Sequence, residues 1–321
     1  MGGVRRIMVT GASGFIGRQV VQKAVAEGYE VIAVVRSRVP NFPREVEVLK
    51  LDLAASTAVD ILTSAMQVDA VIHAAAHVGD DPEAQERDSL RGTETVLSSM
   101  GHAGVKRLVL VSSMAVYDTS RLWPGQDVTE DTPLENPRRA RDPYTRAKLL
   151  QEDLCYDAAD RRGLSLAVLR PGAVYGPGQV WNAHVGAGFG PVLFRFAAGG
   201  ELPLCHISTC ATALVAAADS DWEGDLNVLD SNLPDRRDFI RALRKSGWPR
   251  LVIPFPWWIL LIAGYVLTPF RKWLPGLLTP RILKARMMPL RYPRHVARTL
   301  HVPATAPFQQ LLARSLQRGR K

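Results

Sequence analysis

The chain has 321 residues, a formal net charge of +9, and a composition that is 47% hydrophobic and 22% charged. These values are ordinary for a globular protein and exclude a disordered, collagenous or low-complexity chain. The cysteines, Cys155, Cys205 and Cys210, are odd in number and lack metal-ligand spacing, so they fit small buried apolar groups in a reduced, cytoplasmic protein.

Taken in order, the chain enters a strand at Ile7-Met8-Val9, within a few residues of Met1, so no signal peptide is expected. Thr10-Gly11-Ala12-Ser13-Gly14-Phe15-Ile16-Gly17 follows, then a helical pattern from Gln19 to Glu27 that stops at Gly28. Strand, glycine turn and helix is the context in which such a motif holds a dinucleotide. Gly11 allows the tight turn, Gly14 lets the backbone approach a pyrophosphate, and Gly17 lets the helix pack on the sheet. The N–H groups at the helix start then face the anion. Gly11, Ser13, Gly14, Phe15, Ile16 and Gly17 are therefore predicted cofactor residues.

The second strand, Glu30 to Val35, ends at Arg36-Ser37-Arg38. In dinucleotide folds an acidic residue at this strand end would bond the ribose 2′-hydroxyl. None stands here. The planar fork of Arg36 suits a 2′-phosphate instead, which favours NADP(H) over NAD(H). Val46 to Leu51 alternates like a third strand and leads to Asp52-Leu53, with a helical pattern from Ala54 to Ala65 that Asp52 could cap. A fourth strand, Ala70-Val71-Ile72, runs into His73-Ala74-Ala75-Ala76.

Lys106 to Val111 is the fifth strand, and Ser112-Ser113 follows it. After a loop rich in Pro, Asp and Glu comes Pro143-Tyr144-Thr145-Arg146-Ala147-Lys148, in a helix running to about Arg161. Tyr144 and Lys148, four apart, share one helical face. A phenol with a pKa near 10 is a poor base at pH 7, and an ammonium beside it lowers that value. Ser113 can then hold a substrate oxygen while Tyr144 passes a proton, so Ser113, Tyr144 and Lys148 are the catalytic candidates. The sixth strand, Leu164 to Leu169, ends in Arg170-Pro171-Gly172-Ala173-Val174-Tyr175-Gly176-Pro177-Gly178.

Five motifs in this order over 1–178 resemble the extended short-chain dehydrogenases/reductases. The resemblance implies an α/β fold: a Rossmann-type doubly wound parallel sheet with a smaller, mostly helical C-terminal substrate-binding region. It implies that Asp52 and Leu53 lie beside the adenine, and that Ala74, Ala75 and Ala76 leave room for the nicotinamide ribose. Pro171 and Val174 would flank the nicotinamide, and His73 would sit behind the cofactor in a structural role. Ser89 stands where the family has an asparagine, three before Gly92, which removes any relay built on that side chain. The resemblance continues through His206 to Asp219 and Leu226 to Val228, so the dinucleotide-binding domain is expected at 1–178 plus 205–232. The substrate-binding region is then 179–204 plus 233–321. Family members often form homodimers through the helix carrying Tyr144 and the one before it.

Family members that act on nucleotide sugars carry a glycine-rich, arginine-bearing stretch where this chain has Gly199-Gly200-Glu201-Leu202-Pro203-Leu204, without arginine. Leu251 to Phe270 has no charged residue, with Arg250 before it and Arg271-Lys272 after it. Pro254, Pro256 and Pro269 leave a helix too short to span a bilayer. Two readings stay open for it: a roof over the substrate cleft, or a peripheral membrane contact anchored by Trp257, Trp258 and the C-terminal stretch. That stretch, Arg281 to Lys321, carries Lys and Arg but no Asp or Glu, and reads either as a polyanion-binding surface or as a solvated basic tail. No recognition motif accompanies the charge, so nucleic acid is not an expected partner.

Four functions compete. A ketone/alcohol oxidoreductase acting on a small lipophilic molecule is favoured by the apolar stretch and the missing arginine. A nucleotide-sugar epimerase would use the same Ser-Tyr-Lys set. A nucleotide-sugar dehydratase is rejected, because such enzymes carry Asp-Glu where this chain has Met114-Ala115. A non-catalytic dinucleotide-binding module would usually have lost Tyr144 or Lys148. The expected location is cytoplasmic, with contact at the inner face of the membrane as the open variant.

Overall fold

A computed structural model of the chain describes residues 4–79, 81–181, 184–197, 199–267 and 279–318. Its strands are β1 (Arg6–Thr10), β2 (Glu30–Val35), β3 (Glu47–Lys50), β4 (Ala70–His73), β5 (Arg107–Val111) and β6 (Ser165–Pro171). After these come β7 (Ala173–Tyr175), β8 (Gly186–Phe189), β9 (Val192–Arg195), β10 (Leu204–His206), β11 (Gly224–Val228) and β12 (Leu251–Pro254). The helices are α1 (Phe15–Ala26), α2 (Ala58–Ala65), α3 (Pro82–Ala84), α4 (Gly92–Ala103), α5 (Pro143–Arg162) and α6 (Ile207–Ala218). They continue with α7 (Arg236–Arg244), α8 (Trp257–Val266), α9 (Pro280–Met287), α10 (Val296–Thr299) and α11 (Phe308–Arg318). A π-helical segment, Gln85–Arg91, joins α3 to α4.

Seven strands form one parallel sheet in the order β11-β6-β5-β4-β1-β2-β3. Strands buried on both faces read as unbroken apolar runs, and these do. Along β1, Ile7 and Val9 point to the side covered by α1 and α6, whereas Met8 points to the side covered by α2, α4 and α5. The same alternation divides Val31, Ala33 and Val35 of β2 from Ile32 and Val34. The doubly wound Rossmann arrangement expected from the sequence is present. Strand order reverses between β1 and β4, and ligands of such sheets sit outside the strand C-termini at that point.

Element bounds moved where the local signal was thin. The helix anticipated from Ala54 begins at Ala58, and Asp52 caps the preceding turn by accepting from the Ala54 N–H at 3.1 Å. The C-terminal region is mostly helical, as expected, and adds a small sheet of β8, β9 and β12 that was not expected from the sequence. Leu251 to Pro254 pairs with β9 before Phe255-Pro256 ends the strand and α8 starts at Trp257. Phe270, Arg271 and Lys272, named above as one end of the apolar stretch, lie outside the described residues.

The basic stretch is folded as far as the described residues run. Phe308 of α11 stacks on Phe239 of α7 at 5.6 Å, and Leu311 and Leu312 join a core with Tyr175, Leu193 and Leu202. All three cysteines are free and buried. Among the described residues no helix is long and apolar enough to cross a membrane.

Candidate active site

The turn after β1 makes the site's first wall. Gly11 has φ +64°, and a Cβ there would meet the Ala75 nitrogen at 2.7 Å, so the β1 and β4 strand ends touch only because it is glycine. A Cβ on Gly17 would stand 2.2 Å from the Gly11 oxygen, so the turn and α1 are equally close. Gly14 N-caps α1 with no side-chain hydrogen bond, leaving the first N–H groups of the helix without a side-chain cap. An anion such as a pyrophosphate satisfies such groups, and the fit to a dinucleotide rests on that cradle.

A cavity of about 710 Å³ runs from this turn along the strand C-termini. Every predicted cofactor residue from Gly11 to Gly17, together with Arg36, Asp52, Leu53, Ala74, Ala75, Ala76, Pro171 and Val174, lines it. Ser113 and Tyr144 line it too. Lys148 does not. It is 5% exposed, and its ammonium donates to the Val111 carbonyl at 2.7 Å.

Asp142 accepts from the Thr145 N–H at 2.7 Å and Pro143 fills the first turn, so α5 starts where Tyr144 can reach the cavity. Ser113 follows β5 and caps the 3₁₀ turn Met114–Val116, accepting from the Ala115 N–H at 3.2 Å. Its hydroxyl neighbours the Tyr144 phenol in the cavity wall. Burial raises the phenol's pKa, the Ser113 hydroxyl opposes the rise, and Asp142 adds to it. This corrects the expectation that Lys148 lowers it. The ammonium is turned toward Val111, and burial, opposed by Glu152, lowers its own pKa to about 8.

Behind the cavity lies a buried polar chain. His73 bonds Thr10 through Nδ1 at 2.7 Å and Thr93 through Nε2 at 2.9 Å, and the Gln151 amide donates to Thr93 at 2.8 Å. Burial, aided by the Lys148 charge, lowers the His73 pKa to about 3, so the imidazole is neutral. Ser89, at the asparagine's place, donates to Gln85 Oε1 at 3.0 Å and accepts from the His77 N–H at 3.0 Å.

Sequence reasoning missed two acidic groups. Asp88 lines the cavity and accepts from Arg36 Nη1 and from Arg87 Nε, at 2.7 and 2.8 Å. Burial pushes its pKa up, but these two bonds outweigh that and hold it below the usual value. Asp88 begins the stretch singled out at Ser89, yet nothing local says that it meets Arg36, which is 52 residues away. Glu152 is 1% exposed; it accepts from the Ser112 hydroxyl and pairs with Arg170 at 2.7 Å. Its place one turn beyond Lys148 on α5 was a usable signal.

The profile of the NAD dependent epimerase/dehydratase family matches residues 7–240. Cinnamoyl-CoA reductase 1 of Petunia hybrida is 31% identical over 185 residues, covering 53% of this chain and 55% of that enzyme. The chain thus spans about half the length of this plant relative. A 4-hydroxy-2-methyl-3-oxo-4-farnesyl-3,4-dihydroquinoline-1-oxide ketoreductase of Stigmatella aurantiaca is 30% identical over 75% of this chain and 73% of its own length. Among solved structures, UDP-glucose 4-epimerase of Thermus thermophilus in complex with NAD superposes with a TM-score of 0.72 at 20% identity. That superposition covers 98% of this chain and 99% of the epimerase, and carries the fold.

Proposed function

This chain belongs to the NAD-dependent epimerase/dehydratase family, the extended short-chain dehydrogenases/reductases, and on that premise we propose that it interconverts a ketone and a secondary alcohol on a small lipophilic molecule, with NADP(H) preferred. The observation that carries the reading is that Ser113 and Tyr144 line the same cavity as the glycine turn. When bound, the nicotinamide dinucleotide supplies the hydride exchange. The residues of the turn and the start of α1 would hold its pyrophosphate, and Arg36 would meet a 2′-phosphate.

Ser113 holds the substrate oxygen by a hydrogen bond. Tyr144, a neutral phenol at pH 7, donates its proton to that oxygen in the reductive direction. Lys148 acts outside the cavity wall, fixing the end of β5 through the Val111 carbonyl. Glu152 offsets that buried charge and ties Ser112, the neighbour of Ser113, to Arg170.

The lipophilic class is supported by the surroundings of the 3₁₀ turn that Ser113 caps. Met114, Leu122 and Trp257 pack, partly buried, on a cluster of Tyr117, Val128, Leu229 and Met288. Trp257 thereby brings α8 to this cluster, although no α8 residue lines the 710 Å³ cavity itself. The Stigmatella ketoreductase, named for a farnesylated ring ketone, is in keeping with that class.

A nucleotide-sugar epimerase is the second reading, favoured by the near full-length superposition on epimerases. Against it, Gly199 to Leu204 offers no arginine to a diphosphate, and Leu202 is fully buried. Titration of a hydrophobic ring ketone and a uridine-diphosphate sugar, following NADPH consumption and binding, separates the two. Saturable turnover of the ketone is expected; saturable binding of the sugar nucleotide alone would replace the first reading with the second.

A further inference from the structure

The C-terminal region turns two consecutive apolar faces outward. In the small sheet Leu251 pairs with Val192, and Val192 with Phe189, so these three side chains share one face. Ile253, two residues on, is on that face as well. The opposite face, with Leu193 and Val252, packs into the core, whereas Phe189 is 80% and Leu251 53% exposed. A half-covered sheet normally carries polar residues on its open side, and this one carries none of them at these positions. The chain then passes through Phe255-Pro256 into α8. Trp258, Ile259, Ile262, Tyr265 and Val266 recur at i, i+1, i+4, i+7 and i+8, which is a single helix face, and all five are exposed.

Charge identifies the occupant. From Phe239 to Lys321 the chain has no Asp or Glu. Arg244 and Lys245, at the end of α7, and Arg250, next to Leu251 of the apolar face, are exposed. A second copy of the chain would bring like charge against like charge. An anionic lipid surface satisfies both features, because its headgroups take the cations and its acyl boundary takes the apolar side chains. With 10 residues α8 is about 15 Å long, half a bilayer core, so it lies in the interface instead of crossing it.

We propose that the outer face of α8, with the adjoining face of β8 and β12, seats this protein on an anionic membrane surface. The docking is independent of the reaction proposed above, since none of its residues lines the cavity.

The test is co-sedimentation of the full chain with phosphatidylcholine vesicles with and without phosphatidylglycerol, across a salt series. Binding to the anionic vesicles is expected and should weaken with salt. Ile262→Glu should lower it by about tenfold or more by placing a charge on the apolar face. Arg244→Glu with Lys245→Glu and Arg250→Glu should lower it about as much. Circular dichroism melts of both variants should match the parent, because all four positions are exposed. No sedimentation with anionic vesicles would overturn the proposal. So would binding that Ile262→Glu leaves unchanged, or a dimer in sedimentation velocity that Ile262→Glu dissolves, which would make a second copy the occupant.

Discussion

The seven-stranded sheet and the small C-terminal sheet are built from equally apolar strands, yet they cover them differently. Helices close both faces of the first, so every apolar side chain of β1 and β5 is buried. In the second only the face with Leu193 is closed, and Phe189 and Leu251 stand open. Charge is handled differently too. Arg170, below the large sheet's rim, meets the carboxylates of Glu152 and Asp225. Arg236, in the C-terminal region, is 1% exposed and donates to the carbonyls of His184, Gly199 and Arg286. The first region is a fixed frame on which proton chemistry can be positioned; the second leaves an apolar face exposed. Each substitution below should tell in one region and be nearly silent in the other.

The largest effect should come from Tyr144→Phe. General acid–base groups contribute roughly 10²–10⁴ in rate, so kcat should fall by hundreds-fold or more while cofactor affinity barely changes. Near-normal turnover, measured by NADPH consumption, would remove proton transfer from the frame and sink the catalytic assignment.

Glu152→Gln should be next. Removing one partner of a buried ion pair typically costs about 3–5 kcal/mol, and the low end applies because Asp225 still meets Arg170 at 2.9 Å. Urea unfolding would measure it. A loss under about 1 kcal/mol would mean that the frame does not depend on this pair.

Acid should loosen the same frame. His73 has its pKa lowered by burial from 6.5 to about 3, so unfolded chain binds a proton that folded chain excludes between those values. Its contribution is therefore complete above pH 6.5 and is lost as pH falls toward 3. The slope is about 1.4 kcal/mol per pH unit, or about 2 kcal/mol between pH 6.5 and 5. His206, lowered by burial to about 4, adds a like term. His73→Leu should flatten the stability–pH curve in this window; an unchanged curve would show that other groups govern it.

At the cavity rim the expected shift is smaller. Arg36 has a side chain 57% exposed and shares its charge with Asp88, so a bond to a 2′-phosphate stands near the lower limit for charge-assisted hydrogen bonds, about 1.5 kcal/mol. Arg36→Asp should therefore weaken NADPH binding about tenfold and turn preference toward NADH. Asp88→Asn should tighten NADPH binding, by leaving more of the guanidinium to the phosphate. A parent protein that already binds NADH more tightly would refute the cofactor preference.

These contrasts mark what a single sequence discloses. The glycine turn, the strand ends and the Tyr144–Lys148 spacing were legible because each is a local pattern with one backbone solution. The orientation of Lys148 toward Val111 was not, since spacing sets a helix face but not where a flexible side chain ends. Asp88 against Arg36 and Glu152 against Arg170 join distant segments, and only the folded sheet brings them together. The β8–β9–β12 sheet was hidden for a related reason: Leu251 to Pro254 is as apolar as the helix that follows it, and periodicity cannot separate two short apolar elements.

The smallest predicted effect is the one that tests the comparison from the other side. Arg294 pairs with Glu201 at 2.9 Å in the C-terminal region, with side chains 35% and 30% exposed. Its geometry resembles that of Arg170 with Glu152, and distance alone would rank the two pairs together. Water decides otherwise. A solvated pair gains little on forming because each charge keeps most of its hydration, and typical values are about 0.2–1 kcal/mol. Arg294→Ala should thus cost less than about 1 kcal/mol in the urea experiment used for Glu152→Gln, and less again at high salt. Glu201→Ala should cost more than Arg294→Ala, because Glu201 also accepts the Tyr292 backbone N–H at 3.0 Å. If Arg294→Ala proved as damaging as Glu152→Gln, burial would not be what separates the two regions, and the C-terminal region would be as rigid a frame as the sheet.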